Sequence, residues 1–275
     1  MKSSVRILAA TVVVVLLTAM GAITMLPSAA AASGGKREST STTEGSTSSP
    51  QASTSTTVGS TSSQNSQSNP ACTPSVFAQA QQLVQTELTG RVVQLQQLSS
   101  EVANNADYLT PSDRQALEND IDGFELSGIE ALKTQTEQAT TCAQLRNDAH
   151  SMVFTYRVYL VMTPQTHLTI VVDNETDIEN LLSSLEPTIN SAIEKAQTNG
   201  ANVSGSEVAF KELKTLVAAA QDETSGLSTQ LLAQTPAGSP GNWQLFLQAR
   251  TDLTTARNDL HSAYADALQV KADLS

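Results

Sequence analysis

Apolar residues recur every seven positions in the last segment of the chain. One row consists of Phe246, Leu253, Leu260, Ala267 and Leu274, and a second row follows it by three positions, at Ala249, Ala256, Ala263 and Val270. This spacing is typical of the a and d positions of a long, coiled-coil-like helix. Because the second row is mostly alanine, the pattern predicts a close approach by a neighbouring helix, which we expect to come from the same chain.

Earlier segments repeat this amphipathic pattern with helical spacing, which predicts an all-α, antiparallel bundle of about six helices. One stripe continues in phase across Pro187, so we expect a kinked helix there rather than two helices. The apolar stripes are Phe77, Leu83, Val84, Leu88, Leu95, Leu98 and Val102; Leu117, Ile121, Phe124 and Leu132; Val171, Ile178, Leu182, Leu185, Ile189, Ala192 and Ala196; and Phe210, Leu213, Val217, Ala220, Leu227 and Leu231.

Two helix starts are marked by a hydroxyl residue before a proline. Thr73 precedes Pro74, and Thr110 precedes Pro111. A capping hydroxyl followed by proline at the first helical position is typical of a helix N-terminus. Asp113 is expected to complete the second cap.

Two structures are compatible with the segment from residue 151 to residue 172. β-Branched residues on either side of Thr163-Pro164-Gln165-Thr166 are compatible with a hairpin as well as with a helix. We expect a helix, because a lone hairpin would have to pack inside an otherwise helical domain.

The N-terminus has the layout of a secretory signal. Lys2 and Arg6 precede an uncharged run from Ile7 to Leu26, and small residues follow Pro27. We interpret 1–32 as a signal peptide, with an uncleaved membrane anchor as the alternative, because about 20 apolar residues also span a bilayer. The protein is therefore expected to be secreted or extracytoplasmic.

A Ser/Thr-rich segment separates this leader from the predicted helices. Of the 31 residues from Ser39 to Asn69, 20 are serine or threonine and only Glu44 is charged. Such a composition offers little to bury and no periodicity. We interpret 33–70 as a disordered linker and 71–275 as the helical domain.

The helical domain is strongly acidic. Residues 71–275 contain 11 Lys and Arg against 25 Asp and Glu. Nucleic acid is thus an unsuitable partner, and contact with a membrane is expected only through the N-terminal segment, because binding to polyanions depends on basic patches.

Cys72 and Cys142 are the only cysteines in the chain. They lie at the predicted starts of the first and third helices, which fall at the same end of an up-down-up arrangement. Export to an oxidising compartment favours their pairing, so we predict a Cys72–Cys142 disulfide.

Arg157 is the most prominent candidate for ligand binding. It is the only formal charge between Asp148 and Asp173, and Tyr156 and Tyr159 lie beside it. A charge in so apolar a segment requires a partner. The residues could bind an anion, with both tyrosines lining the pocket; the alternative is a structural ion pair between Arg157 and a carboxylate on a facing helix.

Other motifs give weaker signals. The stretch Glu118 to Gly123 imitates the start of a calcium loop but lacks the closing ligand. The three histidines have no metal-site spacing, and no catalytic constellation or cofactor motif is recognisable. We expect a non-enzymatic protein without a cofactor, and we expect Trp243 to fasten the last helix to the core.

The stretches Leu145 to Ala149, Ser151 to Val153, Tyr156 to Tyr159 and Pro164 to Leu168, together with Pro236 to Pro240, resemble a group of uncharacterised, secreted, helical proteins of actinobacteria. The resemblance implies a setting in the bacterial cell envelope and no catalytic residue. Our leading hypothesis is a tethered helical domain that contacts another envelope protein or the cell wall. A small-molecule or anion-binding module around Arg157 is the alternative.

Overall fold

The computed structural model describes residues 72–275, and the predicted signal peptide or anchor (1–32) and linker (33–70) lie outside them. Within the described residues the chain is all-α, as predicted, with no β-strand. The α-helices are α1 (Pro74–Asn104), α2 (Pro111–Glu118), α3 (Ser127–Gln138), α4 (Cys142–Phe154), α5 (Thr163–Thr198), α6 (Ser204–Thr224), α7 (Leu227–Leu232) and α8 (Asn242–Asp273). Two π-helical segments, Asn119–Leu126 and Val158–Met162, precede α3 and α5, and a short 3₁₀ turn covers Pro236–Gly238.

Both predicted threonine caps are present. Thr73 accepts a hydrogen bond from the backbone N–H of Val76, and Thr110 accepts one from Asp113. The predicted role of Asp113 is wrong, because the backbone N–H of Thr110 donates to Asp173 of α5 at 2.7 Å instead. A distant carboxylate thus stabilises the start of α2.

The ambiguous segment 151–172 is helical, but it is not one helix. Helix α4 ends at Phe154, residues 155–157 are irregular, and a π-helical segment then leads into α5. Helix α5 continues through Pro187, as the unbroken apolar stripe predicts. The break at 155–157 places Tyr156 and Arg157 between two helices rather than within one.

The first π-helical segment changes which residues face the core. It joins α2 to α3 without a break, so residues 111–138 form one continuous helical stretch. Ile121 and Glu125 are buried, whereas Phe124, a predicted core residue, is 56% exposed. Glu125 follows Ile121 by four residues and lies on the same face of the helix. A π-turn contains more residues than an α-turn, so Phe124, three residues after Ile121, is turned outward. Leu83 of α1 is also exposed, contrary to prediction.

Three apolar clusters share helix α5. The first cluster contains residues from α1 through α4. The second contains residues of α6 and of the C-terminal halves of α5 and α8. The third contains residues of α7 and of the first halves of α5 and α8. Helix α5 contributes to the last two through its buried residues, and Ile170 of α5 packs against the first. Helix α5 therefore connects the two ends of the molecule.

The predicted seam of α8 is buried, as expected. Ala249, Ala256 and Ala263 are fully buried, and α8 packs most extensively against α6 of the same chain. The predicted stripe through Leu227 and Leu231 does not continue α6, because the chain turns at Gly226, which has a φ of 69°. Positive φ favours glycine, and α7 begins directly after it.

The Cys72–Cys142 disulfide is present, as predicted. The two Cα atoms lie 6.1 Å apart, at the starts of α1 and α4. Trp243, in contrast, is 49% exposed, so the expected anchoring of α8 through this side chain is wrong. Phe246, one turn later, is buried in its place.

Candidate functional site

Arg157 lies in the irregular segment after α4. Its Nη1 atom donates a hydrogen bond to Ser239 Oγ at 2.7 Å, and its guanidinium lies 5.3 Å from the centre of the Phe154 ring. No ion pair within residues 72–275 involves Arg157, so the alternative of an ion pair with a facing carboxylate is wrong. The arginine fastens the loop before α8 to the end of α4.

Tyr156 and Tyr159 point to different neighbours. The ring of Tyr156 lies 6.2 Å from that of Phe124 and closes on Gly128 of α3, where a Cβ atom would stand 2.3 Å from the tyrosine Cε1. The ring of Tyr159 lies 5.1 Å from the guanidinium carbon of Arg91 on α1. The structure therefore does not bring the two tyrosines together around Arg157.

A cavity of about 520 Å³ lies beside this segment. It is open to solvent on one side and is lined by the first π-helical segment, the end of α4, the start of α5 and the loop that follows α7. This volume falls within the range of small-molecule sites in proteins. The lining residues are Asp120, Phe124, Glu125, Phe154, Thr155, Met162, Gln165, Leu232, Gln234, Thr235, Pro236 and Ala237.

Both π-helical segments contribute to this cavity. The first supplies Asp120, Phe124 and Glu125, and the second supplies Met162. Single π-turns inside α-helices occur frequently at functional sites, because they redirect side chains that an α-helix would place elsewhere. Here Phe124, which was expected in the core, is turned outward and stands in the lining of the cavity.

Glu125 is the most unusual group in the cavity lining. Its side chain is 1% exposed, and Oε2 is buried without a hydrogen-bond partner among the described residues. Burial, with a smaller contribution from the charge of Asp120, raises the pKa of Glu125 to about 7. Burial also raises the pKa of Asp120. An unpaired carboxyl in such a place is costly to the fold.

Gln165, another residue of the cavity lining, carries a second unpaired acceptor. Its side chain is fully buried, and Nε2 donates to the backbone carbonyls of Leu231 at 3.0 Å and Leu232 at 3.2 Å. The Oε1 atom has no partner. Reversing the amide would direct Oε1 at two carbonyl oxygens, so the orientation is determined by the structure.

Other buried acids of the domain have partners. Glu175 forms an ion pair with Arg257 of α8 at 2.6 Å, and Glu179 accepts a hydrogen bond from Thr224 at 3.0 Å. Burial nevertheless raises the pKa of Glu179 to about 7. These contacts hold α5 against α6 and α8. Glu125 has no such structural contact. Asp266 also has an unpartnered, buried Oδ2 atom, but it is not among the residues that line the cavity.

A metal centre has little support in the described residues. Glu118, Asp120 and Asp122 lie within about one turn of continuous helix rather than in a loop, and His167 is hydrogen-bonded to Glu101 at 2.7 Å. No group of three or more His, Cys, Asp or Glu side chains in residues 72–275 is placed to hold a metal ion.

Sequence reasoning missed Glu125 and Gln165, although one signal was present. Leu117, Ile121, Glu125 and Ile129 recur every four residues, so Glu125 occupies an apolar position of a stripe. An acid in such a position predicts a buried carboxyl. Gln165 carries no comparable signal, because its burial depends on the loop after α7, which lies far away in the sequence.

Comparisons with protein-family models, with curated proteins and with solved structures found no match to this chain. In the part of the chain that the structure describes, no helix has both the length and the apolar character needed to cross a membrane.

Proposed function

We propose that this protein is an extracytoplasmic, non-enzymatic binding module, and that its ligand site is the cavity between the first π-helical segment and the loop after α7. The observation that supports the proposal is the pair of buried, unpartnered acceptors, Glu125 Oε2 and Gln165 Oε1, in the lining of one cavity. Nine side-chain nitrogen and oxygen atoms of the described residues are buried without a partner, and of the residues that carry them only Glu125 and Gln165 line this cavity. A ligand would supply the missing hydrogen bonds.

Other features support the proposed location of the module. The Cys72–Cys142 disulfide is compatible with an oxidising, extracytoplasmic compartment. The basic and apolar start of the chain and its Ser/Thr-rich segment support export and presentation on a tether. The sequence suggested an anion site at Arg157. The proposed site lies in the same region, but its ionisable lining residues are the acids Asp120 and Glu125.

Binding fits the two carboxyls of the cavity better than hydrolysis does. Asp120 and Glu125 are five residues apart on one π-helical segment, so they stand one turn apart on the same side of a bound molecule. Acid and base pairs that hydrolyse glycosidic bonds flank the scissile bond from opposite sides. We therefore assign Asp120 and Glu125 to ligand recognition.

A cavity-blocking variant tests this proposal. Ala237 lies at the exposed edge of the cavity, and Ala237→Trp is expected to obstruct it, whereas Ala233→Trp places the same side chain on exposed surface outside the lining. A compound library is screened by thermal melting. A true ligand at about 100 times its Kd is expected to raise the Tm of the wild type and of Ala233→Trp by roughly 5–10 °C.

The same ligand is expected to leave the Tm of Ala237→Trp unchanged. Native mass spectrometry of the protein recovered from its own host is expected to show a small adduct on the wild type. The proposal fails if the host protein has no adduct and no library compound separates the two tryptophan variants.

A second candidate function is contact with a protein partner of the envelope. Four large apolar side chains are 44–52% exposed in a single stretch of eight residues: Val153, Phe154, Tyr159 and Leu160. Concentrated exposed apolar surface is typical of interaction sites. This surface supports the hypothesis of a partner, and it adjoins the cavity, because Phe154 belongs to both.

Cross-linking on intact cells tests the partner hypothesis. Leu160→Glu is expected to reduce the yield of a specific cross-linked product severalfold, because a charge on this surface would be desolvated in the complex. Leu268→Glu, on exposed surface of α8, is expected to leave the yield unchanged. Equal yields from both variants would argue against a partner at this surface.

A further inference from the structure

The chemistry of the cavity lining selects among ligand classes. The ionisable residues of the lining are Asp120 and Glu125, both carboxyls, and no lysine, arginine or histidine is among the lining residues. We propose that the cavity binds an organic cation through a primary ammonium group, with the Glu125 carboxylate as its main counter-charge and Gln165 Oε1 as a second acceptor. This inference rests on the proposed function.

The count of donors and acceptors supports this class of ligand. An ammonium group has three N–H donors and no acceptor. Glu125 and Gln165 both line the cavity and carry unpartnered acceptors, Glu125 Oε2 and Gln165 Oε1, while the Nε2 atom of Gln165 is already committed to Leu231 and Leu232. Both oxygens are fully buried, so an ammonium group reaches them only by displacing neighbouring side chains. An anionic ligand would meet acceptors only, next to two carboxyls, so its own oxygens would remain unpaired.

The electrostatics of the region favour a cation as well. The burial that raises the pKa of Glu125 to about 7 indicates a carboxyl without a counter-charge, and the helical domain as a whole is acidic. Arg157 lies against Phe154 of the cavity lining, but its guanidinium is engaged with Ser239 and with the ring of Phe154. A ligand cation would complete the charge balance at Glu125.

The apolar part of the lining defines the rest of the ligand. Phe124 and Phe154 are both about half exposed and both line the cavity, so they stand at its edge, while Met162 is buried at its inner wall. Aromatic faces attract cations and pack against rings. The lining therefore fits an amine with an aromatic or short aliphatic body.

Three probes that differ only in their polar group test the inference. Phenethylamine, phenethyl alcohol and phenylpropionate share one aromatic body and present an ammonium, a hydroxyl and a carboxylate. Their binding is measured by calorimetry at pH 8, where Glu125 is ionised. We expect wild-type protein to bind the amine more tightly than the alcohol, and the carboxylate most weakly.

Matched glutamate variants then locate the charge that binds the amine. Glu125→Gln is expected to weaken amine binding by a factor of about 10 to 100, because it removes a charge-assisted hydrogen bond, and to leave alcohol binding unchanged. Glu130→Gln, at an exposed position of α3, makes the same change in net charge and is expected to have no effect. Asp120→Asn is expected to weaken amine binding by a smaller factor than Glu125→Gln does.

The outcomes separate this inference from the proposed function. Tighter binding of phenylpropionate, or an equal loss of amine binding in Glu125→Gln and Glu130→Gln, would overturn the cation assignment, and so would the absence of any amine binding. The proposed function would then still be tested by the tryptophan variants and by the search for an adduct on the host protein. A failure of both sets of measurements would overturn the cavity as a ligand site altogether.

Discussion

Replacing Cys72 and Cys142 together with serine is expected to lower the free energy of unfolding by roughly 4 kcal/mol. The disulfide joins residues that are 70 positions apart in the sequence, so it removes a large part of the conformational freedom of the unfolded chain. For a domain of this size, the corresponding fall in Tm is roughly 8–16 °C. Urea denaturation of the oxidised wild type and the double-serine variant measures the difference.

The reducing agent dithiothreitol supplies the control for this experiment. It is expected to lower the stability of the wild type to that of the variant, because it opens the same loop, and to leave the variant unchanged. The helices themselves are expected to remain, since Thr73 and Thr141 cap α1 and α4 without help from sulfur. Equal denaturation midpoints for the oxidised wild type and the variant would contradict the assigned role of the disulfide.

The parts of the fold that local sequence determines were the parts that could be predicted. The seam of α8 is visible in the sequence because its alanines recur with a helical period and all face one neighbour. The threonine caps at Thr73 and Thr110 are equally local, since each hydroxyl accepts from a backbone N–H three residues later. The disulfide followed from two helix starts that lie at the same end of the bundle.

Features that depend on tertiary contacts could not be predicted in the same way. Asp113 has the right position for a cap, but Asp173 of α5 forms the hydrogen bond to Thr110 because packing brings it closer. Trp243 remains exposed because Phe246 already fills the core at the start of α8. Neither outcome is encoded in the residues adjacent to the position concerned.

The candidate site shows the same limit more clearly. Arg157 could be predicted as a candidate because it is an isolated charge, whereas Glu125 is one of 27 acidic residues in the chain. The spacing of four from Ile121 places Glu125 on the inner face, and the π-helical segment turns Phe124, which was expected in the core, outward. The cavity further requires the loop after α7, so the site is assembled from segments that are more than a hundred residues apart.

Stability is expected to decrease as the pH rises from 5 to 8. Burial raises the pKa of Glu125 and of Glu179 from 4.5 to about 7. Between these two values the folded carboxyl retains a proton that the unfolded chain releases, so the folded state is penalised as the pH rises, and the penalty is complete above about pH 7. Burial raises the pKa of Asp173 to about 6, which acts in the same direction.

The shift at Glu125 corresponds to roughly 3 kcal/mol of stability lost between pH 5 and pH 8. Urea denaturation at the two pH values is expected to show this loss in the wild type and in Glu130→Gln, the exposed control. Glu125→Gln cannot ionise at this position, so its loss over the same range is expected to be smaller by about 3 kcal/mol. If the three proteins lose the same stability, Glu125 does not ionise in an unpaired, buried environment, and the counter-charge that the ligand is expected to supply is not needed.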